Sequence, residues 1–192
     1  MKRLIYLSKK ESKDFKVKKG TLLIAKKFEQ EEYLKRSVVI ILDCNAHFTF
    51  GVVLNKKSNV MVAEIFNEFG LDDAVYFGGT ESIERIGFLH NIGDLEKSSK
   101  ITDSVFWCGD ITRLKYKIEN NNIVSKKIRF FAGFIEWKNQ ELITEINKGR
   151  WEVSQDFDIS DLNLQESLWE NKLTIKGNLY AVLSGLPDPV LN

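Results

Sequence analysis

The chain has 192 residues, of which 43% are hydrophobic and 11% aromatic, enough to bury roughly 70% of its unfolded surface in one core. The apolar run Leu4 to Leu7 is too short for the core of a signal peptide, and no later stretch approaches the roughly twenty apolar residues of a membrane span, so a cytoplasmic protein without a membrane partner is expected. A formal net charge of +1 argues against a nucleic-acid-binding surface spread over the whole molecule.

That balance is uneven along the chain. Residues 1 to 36 carry 12 Lys or Arg against 5 Asp or Glu, a balance of +7, and the remainder carries 16 against 22, a balance of −6. Residues 1–19 read as a basic, flexible arm, and 20–192 as a single domain. Such an arm can meet nucleic acid through counterion release, although a solvated terminus is the simpler reading.

After Gly20, the runs Thr21 to Ala25, Ser37 to Leu42 and Gly51 to Asn55 are apolar and rich in β-branched residues, and they predict three buried strands. Val62, Ile65, Phe66 and Phe69 fall at helical spacing, with Ser58 or Asn59 as the cap and Gly70 as a left-handed stop. Strands follow at Ala74 to Phe77 and at Arg85 to His90, joined through the turn at Gly78 and Gly79. Val105 to Cys108 and Ile128 to Phe134 supply two more, with a turn at Glu119 to Asn122 between them.

A helix is expected from near Asn139, with Leu142, Ile143 and Ile146 on its apolar face and Gly149 as its stop. Trp137 and Trp151 flank it and read as anchors to the sheet. A second helix should start after Asp161 and carry Leu164, Leu168 and Trp169. Asn178 to Leu183 reads as a closing strand, before the tail Leu186 to Pro189. Strands outnumber helices without regular alternation, which indicates an α+β domain.

The residues resemble the AlgH/YqgE family of bacterial proteins. The likeness runs through Gly20 to Ala25, Arg36 to Val39, Gly51 to Asn55, Gly78-Gly79 with Leu89-His90, Gly133-Phe134 with Trp137, and Leu142 with Glu145-Ile146, Gly149 and Trp151. It implies a single α+β domain with strongly coiled, branched mixed β-sheets and a few packed helices. Its members are often labelled transcriptional regulators, yet no DNA-reading motif accompanies the label here. Lys27, Lys57 and Thr80 stand where the family carries prolines, Cys44 where a histidine is common, and Glu136, Gln140 and Glu141 where Gly, Gly and Gln are usual.

Reactive residues are few. Cys44 and His47 are the nearest to a reactive pair, since a thiol three residues from an imidazole can form a thiolate-imidazolium couple. A tetrahedral metal site would also need His90 and Cys108, at spacings unlike the common zinc frameworks, so neither metal nor cofactor is expected. Gly78 and Gly79 could offer amides to an anion, but no Lys-Ser/Thr pair or helix start follows them. The residues expected to rim a ligand site are Gly78, Gly79, Arg85, His90 and Trp137. The leading expectation is a non-catalytic binding or regulatory module that meets a protein or a small ligand. The alternatives are an enzyme with a cleft lined by Cys44, His47 or His90, and nucleic-acid binding through the basic arm.

Overall fold

The computed structural model describes residues 17–26, 31–120, 127–138 and 140–174. Most of the basic arm, the turn residues Asn121 and Asn122, the helix start at Asn139, the closing strand Asn178 to Leu183 and the tail lie outside those residues. Where the arm meets the body, Val17 packs on a hydrophobic cluster and Lys19 lies 3.2 Å from Asp43.

The described residues form ten strands in one sheet and four α-helices. Along the sheet path the strands are β10 (Trp151–Ser154), β1 (Leu22–Ala25), β2 (Val38–Cys44), β3 (Phe48–Val53), β9 (Ile128–Lys138), β6 (Glu81–His90), β8 (Phe106–Trp107) and β7 (Ser99–Lys100). Beside that path, β5 (Ala74–Phe77) runs parallel to β9, and β4 (Lys57–Met61) pairs antiparallel with β5. The remaining pairings are antiparallel.

Helices cover both faces. In β1, Leu22 and Ile24 enter one core, with α4 (Leu168–Thr174), while Leu23 and Ala25 enter a second, with α3 (Glu141–Asn147). Strand β2 divides its residues in the same way. This burial on both sides explains why the two segments are apolar throughout instead of alternating with polar residues. A third cluster packs α1 (Val62–Ile65) and α2 (Ile111–Glu119) against β6 and the first half of β9.

The α+β domain is present, but the strongly coiled, branched sheets expected from the resemblance are not. The sheet is large, mostly antiparallel and open, neither strongly curled nor closed. Two layers of helices must be covered by opposite faces of the same strands, which favours an open sheet. Gly78 and Gly79, expected to turn the chain, serve close backbone approach to β9. A Cβ on Gly78 would lie 2.2 Å from the Gly133 carbonyl oxygen, and one on Gly79 would lie 2.1 Å from the Phe134 carbonyl carbon.

Strand β9 changes its facing midway. From the Glu81–Phe134 pairing to the Ile86–Ala132 pairing, β6 advances five residues while β9 advances two. Gly133 sits between those β9 positions with φ 70°, in the left-handed region. As a result Phe130 and Ala132 join the third cluster, Phe131 and Phe134 the first, and Ile135 and Trp137 the second.

Other elements shift locally. The helix predicted around Val62 is one turn, followed by a 3-10 turn (Asn67–Phe69) that ends at Gly70 with φ 59°, as its spacing predicts. Its start is held by the Met61 amide donating to Glu64 Oε1 at 2.8 Å, while Ser58 instead donates to the Val75 carbonyl at 2.6 Å. Helix α2 had no counterpart in the sequence reading: its apolar residues are separated by Lys and Arg, and Leu114 is its one buried side chain. Asp110 caps it by accepting from the amides of Thr112 and Arg113, each at 3.1 Å.

Glu145 of α3 ties its helix to two strands. Its Oε2 accepts the indole N–H of Trp137 at 3.0 Å and that of Trp151 at 2.7 Å, and its Oε1 lies 3.3 Å from Arg150 Nη1. The two indoles meet edge to face with centroids 6.2 Å apart. His90, fully buried, fastens β6 to the turn after β8. Its Nδ1 accepts from the Ile92 amide at 3.1 Å, so the proton sits on Nε2, which lies 2.6 Å from the Cys108 carbonyl oxygen.

Two outcomes follow from these fastenings. Glu145→Ala strands two buried indole donors and should lower the urea-unfolding free energy by about 2 kcal/mol, with Glu145→Gln losing less because its amide oxygen still accepts; an unchanged midpoint in both would show that the indole bonds contribute nothing. Burial lowers the His90 pKa despite the opposing pull of the Cys108 carbonyl. The neutral ring therefore stabilises the fold fully above about pH 6.5, and that contribution is lost as pH falls through the lowered folded-state value. Ring-nitrogen NMR should find a neutral Nε2–H tautomer with a midpoint below that of free histidine, and a midpoint at or above it would contradict this assignment.

Candidate functional site

An aromatic groove of about 430 Å³ opens where the first core reaches the sheet surface. Alternation along β3 puts Phe48 and Phe50 on one side chain row, and their rings are 5.9 Å apart. Phe50 meets Phe134 of β9 edge to face, also at 5.9 Å. The opposite wall is Trp107 of β8, whose indole packs against Gly87 of β6; a Cβ there would come 2.2 Å from Trp107 Cζ2. Glycine is required at that position by the ring above it.

Polar groups sit at the rim. Arg85, 78% exposed, has only a loose contact with Glu84 at 3.9 Å, a surface pairing that contributes little. Glu136 lies across the groove and is exposed. Three of the four tryptophan N–H groups are engaged: Trp137 and Trp151 by Glu145, and Trp169 by the Ala25 carbonyl at 2.7 Å. The fourth, on half-buried Trp107, has no acceptor among the described residues. The arrangement suits a flat apolar body against the rings, with an anionic group reaching Arg85.

Of the five residues expected to rim a ligand site, Arg85 lines this groove. Gly78 and Gly79 lie against β9, where the Gly78 amide donates to the Ala132 carbonyl at 2.8 Å. Trp137 is buried under α3, and His90 is buried behind β8 with both ring nitrogens engaged. Of the expected pair, Cys44 Sγ lies 3.6 Å from the Val17 carbonyl oxygen beside the second core, and His47 is exposed at the β2–β3 turn. Cys108 contributes to the groove at a residue with φ 53°. Burial raises its thiol pKa, partly offset by its backbone hydrogen bond with Phe88, which keeps it a protonated, weak nucleophile. Among the described residues, no three His, Cys, Asp or Glu side chains gather to hold a metal ion.

Phe48, Phe50, Trp107 and Phe134 were missed as site residues by sequence reasoning. The Phe-Thr-Phe alternation of β3 was the available signal, since it puts two rings on one face. The convergence of β3, β6, β8 and β9 depends on the register break at Gly133, which linear spacing does not reveal.

Comparison with known proteins agrees with this architecture. The AlgH-like family profile matches residues 22–181. A protein of Parabacteroides distasonis described as a UPF0301 protein is 35% identical over 179 residues, covering 90% of each chain. A UPF0301 protein of Pelodictyon phaeoclathratiforme is 31% identical over 183 residues, covering 92% of this chain and 97% of its own. Among solved structures, a Corynebacterium diphtheriae protein superposes with a TM-score of 0.74 at 22% identity, covering 89% of this chain and 93% of its own. The AlgH protein of Pseudomonas aeruginosa does so with a TM-score of 0.66 at 20% identity, covering 90% and 95%. By its match over most of its length, this chain is a member of the AlgH-like family.

Proposed function

We propose that the chain is a non-catalytic, cytoplasmic binding module whose aromatic groove takes a small molecule with a flat apolar body and a carboxylate. The observation that carries this reading is the row of partly buried rings, Phe48, Phe50, Trp107 and Phe134, that lines one cavity with the exposed Arg85 at its rim. A half-buried indole flanked by phenyl rings, with a cationic group at the rim, suits a flat apolar body carrying an acceptor. The state of the candidate nucleophiles favours binding over catalysis. His90 has no nitrogen lone pair to spare, and Cys108 is held as a thiol.

Among the described residues, no helix is long and apolar enough to cross a membrane. Together with two free cysteines, that supports the cytoplasmic assignment within this proposal. Occupancy of the groove would bridge β3, β6 and β8, giving a ligand a way to alter the surface that a protein partner meets.

NMR titration with a panel of aromatic carboxylates, naphthoate among them, tests the reading. Saturable shifts should centre on Gly87, Phe134 and the Trp107 indole N–H. Arg85→Gln should weaken binding about tenfold, the loss of one charge-assisted hydrogen bond. Absence of saturation across the panel, or shifts centred elsewhere and indifferent to Arg85→Gln, would contradict it.

A further inference from the structure

The aromatic groove carries one charge of each sign. Arg85 and Glu136 are the charged residues that line it; the others are aromatic, aliphatic or glycine, apart from the Cys108 thiol. Neither charge is neutralised at short range. Arg85 has only its loose contact with Glu84 at 3.9 Å, and Glu136 forms no ion pair among the described residues, not even with the exposed Lys138 two positions on. A carboxylate held by Arg85 would therefore share the groove with a second carboxylate that has no counter-charge.

Strand register sets the two charges apart. Ile86, next to Arg85, pairs with Ala132 of β9, whereas Glu136 lies four residues further along β9, opposite Phe50. Four residues of extended strand span roughly 13 Å, so the two side chains reach the groove from its opposite ends. Phe134 stands between them, on the same face of β9 as Glu136 by alternation. The surroundings of the two ends differ as well. Beside Glu136 are the rings of Phe50 and Phe48, 5.9 Å apart, and Phe134 meets Phe50 at the same distance. The negative faces of such rings attract a cation and repel an anion, which adds to the pull of the Glu136 carboxylate on a positive group.

We infer that the ligand of this groove is a dipolar aromatic molecule, with an ammonium at the end opposite its carboxylate, and that Glu136 is the residue that selects it. The inference rests on the groove being a ligand site, as proposed above, and goes further in naming the second charged group. Arg85 takes the carboxylate through its guanidinium fork, the rings take the flat body, and Glu136 takes the ammonium. A ligand with both groups is neutral overall, as the lining is, and cancels each charge of the rim where it stands. A simple aromatic acid satisfies Arg85 but is repelled by Glu136, so the same residue that attracts the dipolar ligand discriminates against its nearest competitor.

The test is amide NMR titration of the full chain at low salt with three probes: naphthoate, naphthylmethylamine, and an aminomethyl-naphthoate whose two groups sit at opposite ends of the ring system. The aminomethyl-naphthoate should bind about fivefold more tightly than naphthoate. Glu136→Gln should abolish that preference without weakening naphthoate, whereas Arg85→Gln should weaken both acids. Thermal melting without ligand should be unchanged in Glu136→Gln, because that side chain is exposed. Naphthoate binding as tightly as the aminomethyl-naphthoate, or a preference that survives Glu136→Gln, overturns this inference and leaves the groove standing as a site for aromatic acids. Tightest binding of naphthylmethylamine also overturns it, by assigning the groove to a cation. Failure of all three probes to saturate at the groove overturns both readings together.

Discussion

The fold depends on one strand doing different work in its two halves. Strand β9 pairs with β6 and β5 along its first half and with β3 along its second. Gly133 sits at the join, where a Cβ would lie 2.6 Å from the Gly79 carbonyl oxygen and 2.8 Å from that of Glu81. A side chain there would meet backbone that cannot rotate aside, and its φ of 70° costs any residue with a Cβ about 1 to 2 kcal/mol. The change of facing at this point lets three hydrophobic clusters share one strand. It also sends Phe134 and Glu136 to the surface beside β3, where the aromatic groove forms.

The groove follows from the way the core is built. Phe50, Trp107 and Phe134 pack against the first core while remaining partly exposed, so their rings are held by burial on one side and open on the other. Several buried polar groups are fully engaged. Arg129, buried, donates to the carbonyls of Leu54 and Leu162 and lies 3.9 Å from the centroid of Tyr76. Lys172 and Asp161 form a buried pair at 2.7 Å that holds α4 to the preceding 3-10 segment. These groups fasten elements of the fold, as do Glu145 and His90.

Much of the scaffold was legible in the sequence. The uninterrupted apolar runs of β1 and β2 announce strands buried on both faces, and the Glu-rich start and Gly149 stop of α3 announce its limits. Trp137 and Trp151 read as anchors, and both are buried against α3. What the sequence withheld is tertiary. Helix α2 is hidden because one buried leucine suffices to dock it, and the openness of the sheet is a consequence of helices on both faces. The groove escaped because its rings come from three strands whose register is set by backbone contacts at Gly133 and Gly87, not by any motif. His90 drew attention as a reactive residue, yet two local hydrogen bonds make it a fastener.

The most direct test of the account is the unfolding free energy of Gly133→Ala by urea titration, with amide NMR of the folded fraction. A loss of about 2 kcal/mol or more is predicted, with shifts perturbed on both sides of the join, at Glu81 to Ile86 and at Phe134 to Glu136. A variant within about 0.5 kcal/mol of the parent, with those shifts unmoved, would show that the change of facing in β9 does not depend on this glycine.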